Sequence, residues 1–397
     1  MSERIVVIGG GAGGLELVVK LAKKLRREPD TEVMLIDKNA THIWKPLFHE
    51  VATGSLNSYH DEASYRMLAR KHGFQFVLGR VTGMDLDART LSLSAVDDEA
   101  GVPMVPERTM DYDRLVVAVG SLSNDFGIEG VADFSRALDS REEAERFHRL
   151  FTAQVHRVNS DLDDDAKLSV VIVGGGATGV QLAGAIAAAH PRIDVTLIDG
   201  EDRLLAAMGE ASGRDAERIL RERGVDVRLG TEIDSIDERS VSLDGSPIPG
   251  LPVWAAGFQA RADDFGLPVD DQGRVLVDRF LRVDGWTKTF AAGDIALHTT
   301  SSGDVLPMSA QIAVQAGDAA GRNAVRSLRG DTLSRARLGH RGWVLDLGGH
   351  RGLAEVGPVT LTAPLLDLIP PALHWGIEMK HLLETRGLAG LLARPGA

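Results

Sequence analysis

Cysteine is missing from all 397 residues. Disulfides, iron–sulfur clusters, zinc–thiolate sites and thiol-based redox relays are therefore excluded. The sequence also has no run of 18 apolar residues, so no stretch is expected to cross a membrane as a helix. No secretory leader precedes the first apolar run near Arg4, which leads us to expect an intracellular chain that at most lies on a membrane surface. Cations are in deficit. Lys and Arg number 44 against 57 Asp and Glu, and the net charge of −13 argues against nucleic acid as the main partner. The deficit is uneven: residues 1–320 carry 34 and 51, a balance of −17, whereas 321–397 carry 10 and 6, a balance of +4. An acidic body with a basic tail suggests a tail that faces lipid head groups, although scattered surface Arg would give the same sum. At 44% hydrophobic and 25% charged the composition is that of a globular protein, and the length allows two or three domains.

What is present begins at once, in Arg4-IVVIGGGAGGLELVV. Ile5 to Ile8 is an apolar, β-branched run that reads as a strand buried on both faces. Gly9, Gly11 and Gly14 then supply G-x-G-x-x-G, and Leu15 to Leu25 continues with helical periodicity. One glycine makes a tight turn, one lets the backbone touch a pyrophosphate, and one lets helix and strand pack closely. The phosphates would sit on the N–H groups of the helix N-terminus. A second strand, Glu32-VMLID, ends on Asp37, whose carboxylate could hold both hydroxyls of a ribose.

The chain then runs through the mixed stretch His42-IWKPLFHEVATGSL, a short helix over 62–72, strands at Phe74 to Val81 and Thr90 to Ser94, and a hairpin tip at 97–107. Asp113-RLVVAVGS reads as a buried strand ending at Gly120, and Arg141 to Val158 as a helix. The acidic segment Ser160-DLDDDAK is a solvated connection. Then the opening repeats. Leu168-SVVIVGGGATGVQLAGAIAAA carries Gly174, Gly176 and Gly179 in the same order, and Asp194-VTLIDG delivers Asp199 20 residues past Gly179. Two copies of one βαβ signature indicate two dinucleotide sites. A helix near 211–223 follows, then Val253-WAAG ending at Gly257, a strand that delivers Gly293 and Asp294, and a long Ala- and Gly-rich helix in Pro307-MSAQIAVQAGDAAGRNAV. Residues 341–360 read as a strand pair.

With two nucleotide loops, the A-V-G-S strand end, the Phe290-AAGD turn and Ala310-QIAVQ, the chain resembles the bacterial type II NADH dehydrogenases, single-subunit NADH:quinone oxidoreductases. The resemblance implies an α/β fold with two Rossmann-like dinucleotide-binding domains and a C-terminal membrane-associating or dimerisation segment. The division expected is 1–124 and 261–335 for FAD, 125–260 for NADH and 336–397 for the C-terminal segment. It implies FAD held by Gly9, Gly11, Ala12, Gly13, Gly14, Asp37, Lys45, Val81, Gly120, Gly293, Asp294 and Gln311. NADH would lie on Gly174, Gly176, Thr178, Gly179, Asp199 and Gly257. A lipid quinone, menaquinone or ubiquinone, would meet Gln311 and Gln315, with Lys45 and His49 lining the same region and His49 a proton source or a packing residue. Asp294 would bond the ribitol or cap the following helix, and Gln315 would bind quinone or pad its helix.

Asp199, Glu201 and Asp202 would repel the 2′-phosphate of NADPH, with Arg203 as a counterweight. Gln181 stands where the resemblance leads us to expect a glutamate active in proton transfer. The tail Pro371-ALHWGIEMKHLLET has a polar stripe at His374, Glu378, His381 and Thr385 amid apolar residues. It could lie in a membrane interface, pack in a homodimer or cover the body. A peripheral enzyme on the cytoplasmic face of the membrane, which pumps no protons, is the resulting expectation. Other readings of the same frame are an NADH-dependent reductase of a ferredoxin-like protein and a non-catalytic, NADH-sensing flavoprotein.

Overall fold

Uninterrupted runs such as Ile5-VVI and Val170-VIV can be satisfied only by strands covered on both faces, which is the environment of a parallel sheet between helices. In the computed structural model these runs are the central strands of two such sheets. The structure describes residues 2–42, 44, 47–54, 62–98, 100–159, 168–349, 351–356 and 359–361. The predicted amphipathic tail lies outside the described residues. The parallel strands, in chain order, are β1 (Glu3–Ile8), β2 (Thr31–Asp37), β3 (Gln75–Leu78), β4 (Arg114–Val117), β5 (Arg136–Ala137), β6 (Ser169–Val173), β7 (Asp194–Ile198), β8 (Asp226–Arg228), β9 (Leu251–Trp254) and β10 (Thr289–Ala291). The helices that matter for the site are α1 (Ala12–Leu25), α2 (Phe48–Thr53), α3 (Tyr65–His72), α4 (Arg141–Asn159), α5 (Ala177–Ala189), α6 (Glu210–Glu222) and α7 (Ala310–Leu328).

The first sheet has the order β10–β4–β1–β2–β3 and the second β5–β9–β6–β7–β8, parallel throughout. The repeat seen in the sequence is thus a repeat of topology. In each sheet a central strand is flanked by the next two strands on one side and by a later, returning strand on the other. Only the outermost strand differs. β10 comes from far downstream, whereas β5 precedes its own central strand. Small antiparallel sheets accompany this frame, and where a strand pair is expected over 341–360 there are three strands, at Trp343–Asp346, Gly352–Val356 and Val359–Leu361.

Two contacts that bear on the site join distant parts of the chain. A Cβ on Gly13 of α1 would lie 2.5 Å from the Ala313 carbonyl oxygen of α7, and one on Gly317 would lie 2.6 Å from the Gly13 oxygen. The two helices therefore touch backbone to backbone at their N-terminal ends, which only glycine permits. The second contact is made by Trp44, Leu47, Phe48, Val51 and Ala52. They leave the first sheet and enter one core with Phe147 and Phe151 of α4, Val170 and Ile172 of β6, and Val180 and Leu182 of α5. The mixed stretch after β2 is therefore the apolar tie between the two halves, and it includes a helix, α2, that the sequence pattern does not announce.

Candidate functional site

Both glycine loops leave the carboxyl end of a central strand, where ligands of open α/β sheets bind. In the first loop a Cβ on Gly9 would stand 2.3 Å from the Ala118 oxygen, and one on Gly14 would stand 1.9 Å from the Gly9 oxygen. Gly9 also has φ +94°. Gly11 has nothing within 4 Å of its Cβ position, so the loop is crowded on the protein side and open on the other. Gly10, between them, is held at both ends. Its N–H donates to Asp37 Oδ2 at 2.6 Å, and its carbonyl accepts the Tyr65 hydroxyl at 2.8 Å. Asp37 Oδ1 accepts the Asn39 N–H at 2.7 Å. Burial outweighs these bonds and Lys38, so the Asp37 carboxyl is pushed above the ordinary carboxylate value. Burial, then the Asp37 charge, raises the Tyr65 phenol well above its usual value and keeps it a neutral donor. Ala12 opens α1, and its half-buried side chain packs on the core of the second half.

The second loop repeats the glycine contacts and the carboxylate bond of the first. Cβ atoms on Gly174 and Gly179 would lie 2.5 Å from the Ala255 oxygen and 1.9 Å from the Gly174 oxygen, while Gly176 faces open space. The Gly175 N–H donates to Asp199 Oδ2, and its carbonyl accepts the Leu205 N–H at 2.9 Å. Asp199 Oδ1 takes the Glu201 N–H at 2.7 Å. Thr178 is half-buried in the first turn of α5. Arg203, the feared counterweight, is committed elsewhere: its guanidinium donates to the carbonyls of Leu205, Ala206 and Met208 at 3.0, 2.6 and 2.9 Å. At the end of β9, Gly257 has φ +60°, and the exposed ring of Phe126 lies 2.5 Å from where its Cβ would be.

Several of the remaining predicted residues gather around the first loop. Gly79 follows β3 and donates to the Asp37 carbonyl at 2.9 Å, and Val81 just beyond is buried in the core shared by Ile8 and Ile36. Gly120 turns the chain after β4 with φ +79°, and Ser121 Oγ donates to Asp294 Oδ2 at 3.1 Å. Gly293 sits against α7: its Cβ position lies 3.6 Å from the Ala313 methyl. His298, which sequence reasoning missed, donates from Nε2 to the Gly293 carbonyl at 3.1 Å. The imidazole is 4% exposed, and burial pushes it down to about 4. Ser309 Oγ at the start of α7 and Gln181 Nε2 on α5 are buried with no partner among the described residues.

The two glutamines are occupied. Gln311 Nε2 donates to the Gly342 carbonyl at 2.8 Å and lies 3.0 Å from His340 Nε2, while its oxygen accepts the Arg341 N–H at 2.9 Å. Gln315 bonds both the N–H and the carbonyl of Gly339, at 3.2 and 3.0 Å. The i, i+4 spacing does put both on one helical face, and that face meets the 339–342 segment. His49 is buried on α2, with Nε2 4.0 Å from Glu50 Oε1. Lys45 lies outside the described residues.

The pyridine nucleotide-disulphide oxidoreductase family model matches residues 3–317. The chain is 34% identical over 386 residues to the type II NADH:quinone oxidoreductase of Haemophilus influenzae, covering 89% of this chain and 87% of that one. It is 28% identical over 375 residues to the enzyme of the same name from Staphylococcus aureus, covering 89% and 90%. Among solved structures, NDH2 from Plasmodium falciparum in complex with NADH superposes with a TM-score of 0.80 at 17% identity, covering 100% and 99%, a likeness of fold.

Proposed function

We propose, for a chain that belongs to the pyridine nucleotide-disulphide oxidoreductase family and within it to the type II NADH:quinone oxidoreductases, that it oxidises NADH and reduces a lipid quinone through FAD. The observation that carries this reading is the duplicated loop, with Gly10 held by Asp37 and Gly175 by Asp199, in a chain without cysteine. Two dinucleotides fit such a frame, and the dithiol chemistry of the wider family does not.

FAD suits the first loop. Gly11 leaves room for a pyrophosphate, and each Asp37 oxygen retains a lone pair for a ribose hydroxyl. The Gly293–Asp294 turn borders the first turns of α7, with the Gly293 Cβ position 3.6 Å from the Ala313 methyl. There Ser309 Oγ is a buried hydroxyl without a partner among the described residues, as a missing polar ligand would leave it. When bound, FAD supplies the hydride acceptor and passes two electrons on to the quinone.

The chain's own residues bind and orient. His298 fixes the Gly293 carbonyl, Ser121 orients the Asp294 carboxylate, and the 19-residue α7 directs its positive end at the same place. Asp199, Glu201 and Asp202 make the second loop hostile to a 2′-phosphate, and Arg203, turned to the backbone, does not offset them. NADH is therefore the donor. Gln181 is uncharged and cannot carry a proton away, so the proton balance of quinone reduction falls to other groups. We assign 1–124 and 261–335 to FAD, 125–260 to NADH and 336–397 to contact with a membrane surface or a second copy, at the cytoplasmic face of the membrane. Among the described residues no helix is long and apolar enough to cross a membrane.

The test is an anaerobic mix of FAD-loaded protein with NADH, followed by a soluble short-chain quinone. Bleaching of the flavin band by NADH, slower bleaching by NADPH and recovery with quinone are expected. Bleaching without recovery would overturn the quinone assignment and favour a protein acceptor. No bleaching would favour the sensor reading.

A further inference from the structure

Beyond α7 the chain turns at Gly330, with φ +71°, and runs back along the outside of the helix as an extended strap. Leu333, Ala336 and Leu338 of the strap pack inward on the core around α1 and α7, while Ser334, Arg335 and Arg337 are exposed. Alternation of this kind is what an extended chain imposes, so Arg335 and Arg337 project from the same side. The strap is held on both sides of Arg335. Asn323, fully buried on α7, bonds both the Ser334 carbonyl and N–H at 2.8 Å, and the Ala336 N–H donates to the Arg279 carbonyl at 2.9 Å. Further along, Gln315 and Gln311 hold Gly339, Arg341 and Gly342.

This fixed backbone delivers Arg335 and Arg337, with Ser334, to one open cavity of about 360 Å³ whose remaining wall is Arg322 of α7. Arg322 is paired with Asp318. Neither Arg335 nor Arg337 has a carboxylate partner among the described residues. Three guanidinium groups around one depression repel one another, and Asp318, the partner of Arg322, also lies 3.8 Å from Lys20 Nζ, so the lining is net cationic in a chain of net charge −13. A fork of N–H donors on a planar cation matches the oxygens of a phosphate better than those of any neutral ligand. We infer that Arg322, Ser334, Arg335 and Arg337 form a phosphate-binding site, separate from both nucleotide loops, that takes either free phosphate or the phosphate of an anionic lipid head group. The inference does not depend on the quinone assignment, because its readout is anion binding.

The experiment uses FAD-loaded full-length protein and three forms of it: the native chain, R335Q/R337Q, and a charge-matched control, R214Q/R218Q, on the exposed face of α6. Binding of inorganic phosphate is followed by line broadening in ³¹P NMR. Co-sedimentation is measured with phosphatidylglycerol and with phosphatidylcholine vesicles. R335Q/R337Q is expected to weaken phosphate binding by about tenfold or more, while the control binds as the native chain does. Weakened binding to phosphatidylglycerol vesicles as well would identify the lipid head group as the source. Unchanged vesicle binding would identify free phosphate. Equal phosphate binding by all three forms, no binding by the native chain, or equal losses in both double variants would overturn the site.

Discussion

His298 gives the most exacting check on how the Gly293–Asp294 turn is built. Its Nε2 faces a carbonyl and must donate, which leaves Nδ1 as a buried acceptor with no partner among the described residues. Burial, with a smaller contribution from Arg274, brings the imidazole down from 6.5 to about 4. The sign follows from where protons bind. Between pH 6.5 and 4 the unfolded chain takes up a proton that the folded chain refuses, so stability is complete above 6.5, falls as the pH drops, and levels off below 4. At ~1.36 kcal/mol per unit, the full span amounts to ~3 kcal/mol, of which ~2 kcal/mol is lost by pH 5. His298→Gln keeps a donor near Nε2 but does not titrate. Urea unfolding of both proteins at pH 7.5, 6 and 5 should show the native chain losing ~2 kcal/mol more than the variant over that range. Parallel curves would refute the assignment of a buried neutral imidazole.

Four other substitutions probe the remaining features. Gly317→Ala places a Cβ 2.6 Å from the Gly13 oxygen and should cost about 1–3 kcal/mol in thermal or urea unfolding, with weaker retention of flavin. Asp199→Asn keeps an oxygen for the Gly175 N–H but removes the charge, so the ratio of kcat/KM for NADH over NADPH should fall by about tenfold, read by steady-state kinetics. Gln181→Glu buries a carboxyl with no cation assigned to it and should destabilise by ~2 kcal/mol at pH 8, with recovery at pH 5, where the acid is neutral; equal melting shifts at both pH values would contradict this. Gln315→Leu removes both bonds to Gly339 and should cost about 1–2 kcal/mol, leaving the rate of flavin bleaching by NADH unchanged in stopped flow.

The features readable from the sequence are those whose cause is local. A buried strand, a glycine loop and an acid at the next strand end lie within some 30 residues of each other. Both copies fold as their spacing implies, down to the shared contact of Gly14 and Gly179 with the glycine five residues earlier. The features not readable are supplied from a distance. Tyr65 reaches Gly10 across 55 residues, and nothing in its own stretch marks it as part of a loop. The apolar side chains at 44–52 look like an irregular segment because their periodicity is set by a core belonging to the other half of the chain. Arg203 shows the same limit in reverse: its charge is visible in sequence, but its commitment to three carbonyls is not.

The two copies of the loop are alike in themselves, so neither can say which nucleotide stays and which exchanges. The difference lies in what covers them. α1 is clamped by α7, from far downstream in the chain, through contacts so close that a Cβ at Gly13 or Gly317 would press on a backbone oxygen. α5 is packed at its first turns by side chains of α2, and its close backbone contact is with the 343–348 segment, through Gly184 and the Leu347 carbonyl, past the first turn. Close backbone contact thus falls at the first turn behind the first loop and past the first turn behind the second. Such tight backing at the first turn suits the loop proposed to keep its flavin. It also gives Ala310-QIAVQ a role its spacing alone does not reveal: Gln311 and Gln315 fasten the strap that holds α7 in place.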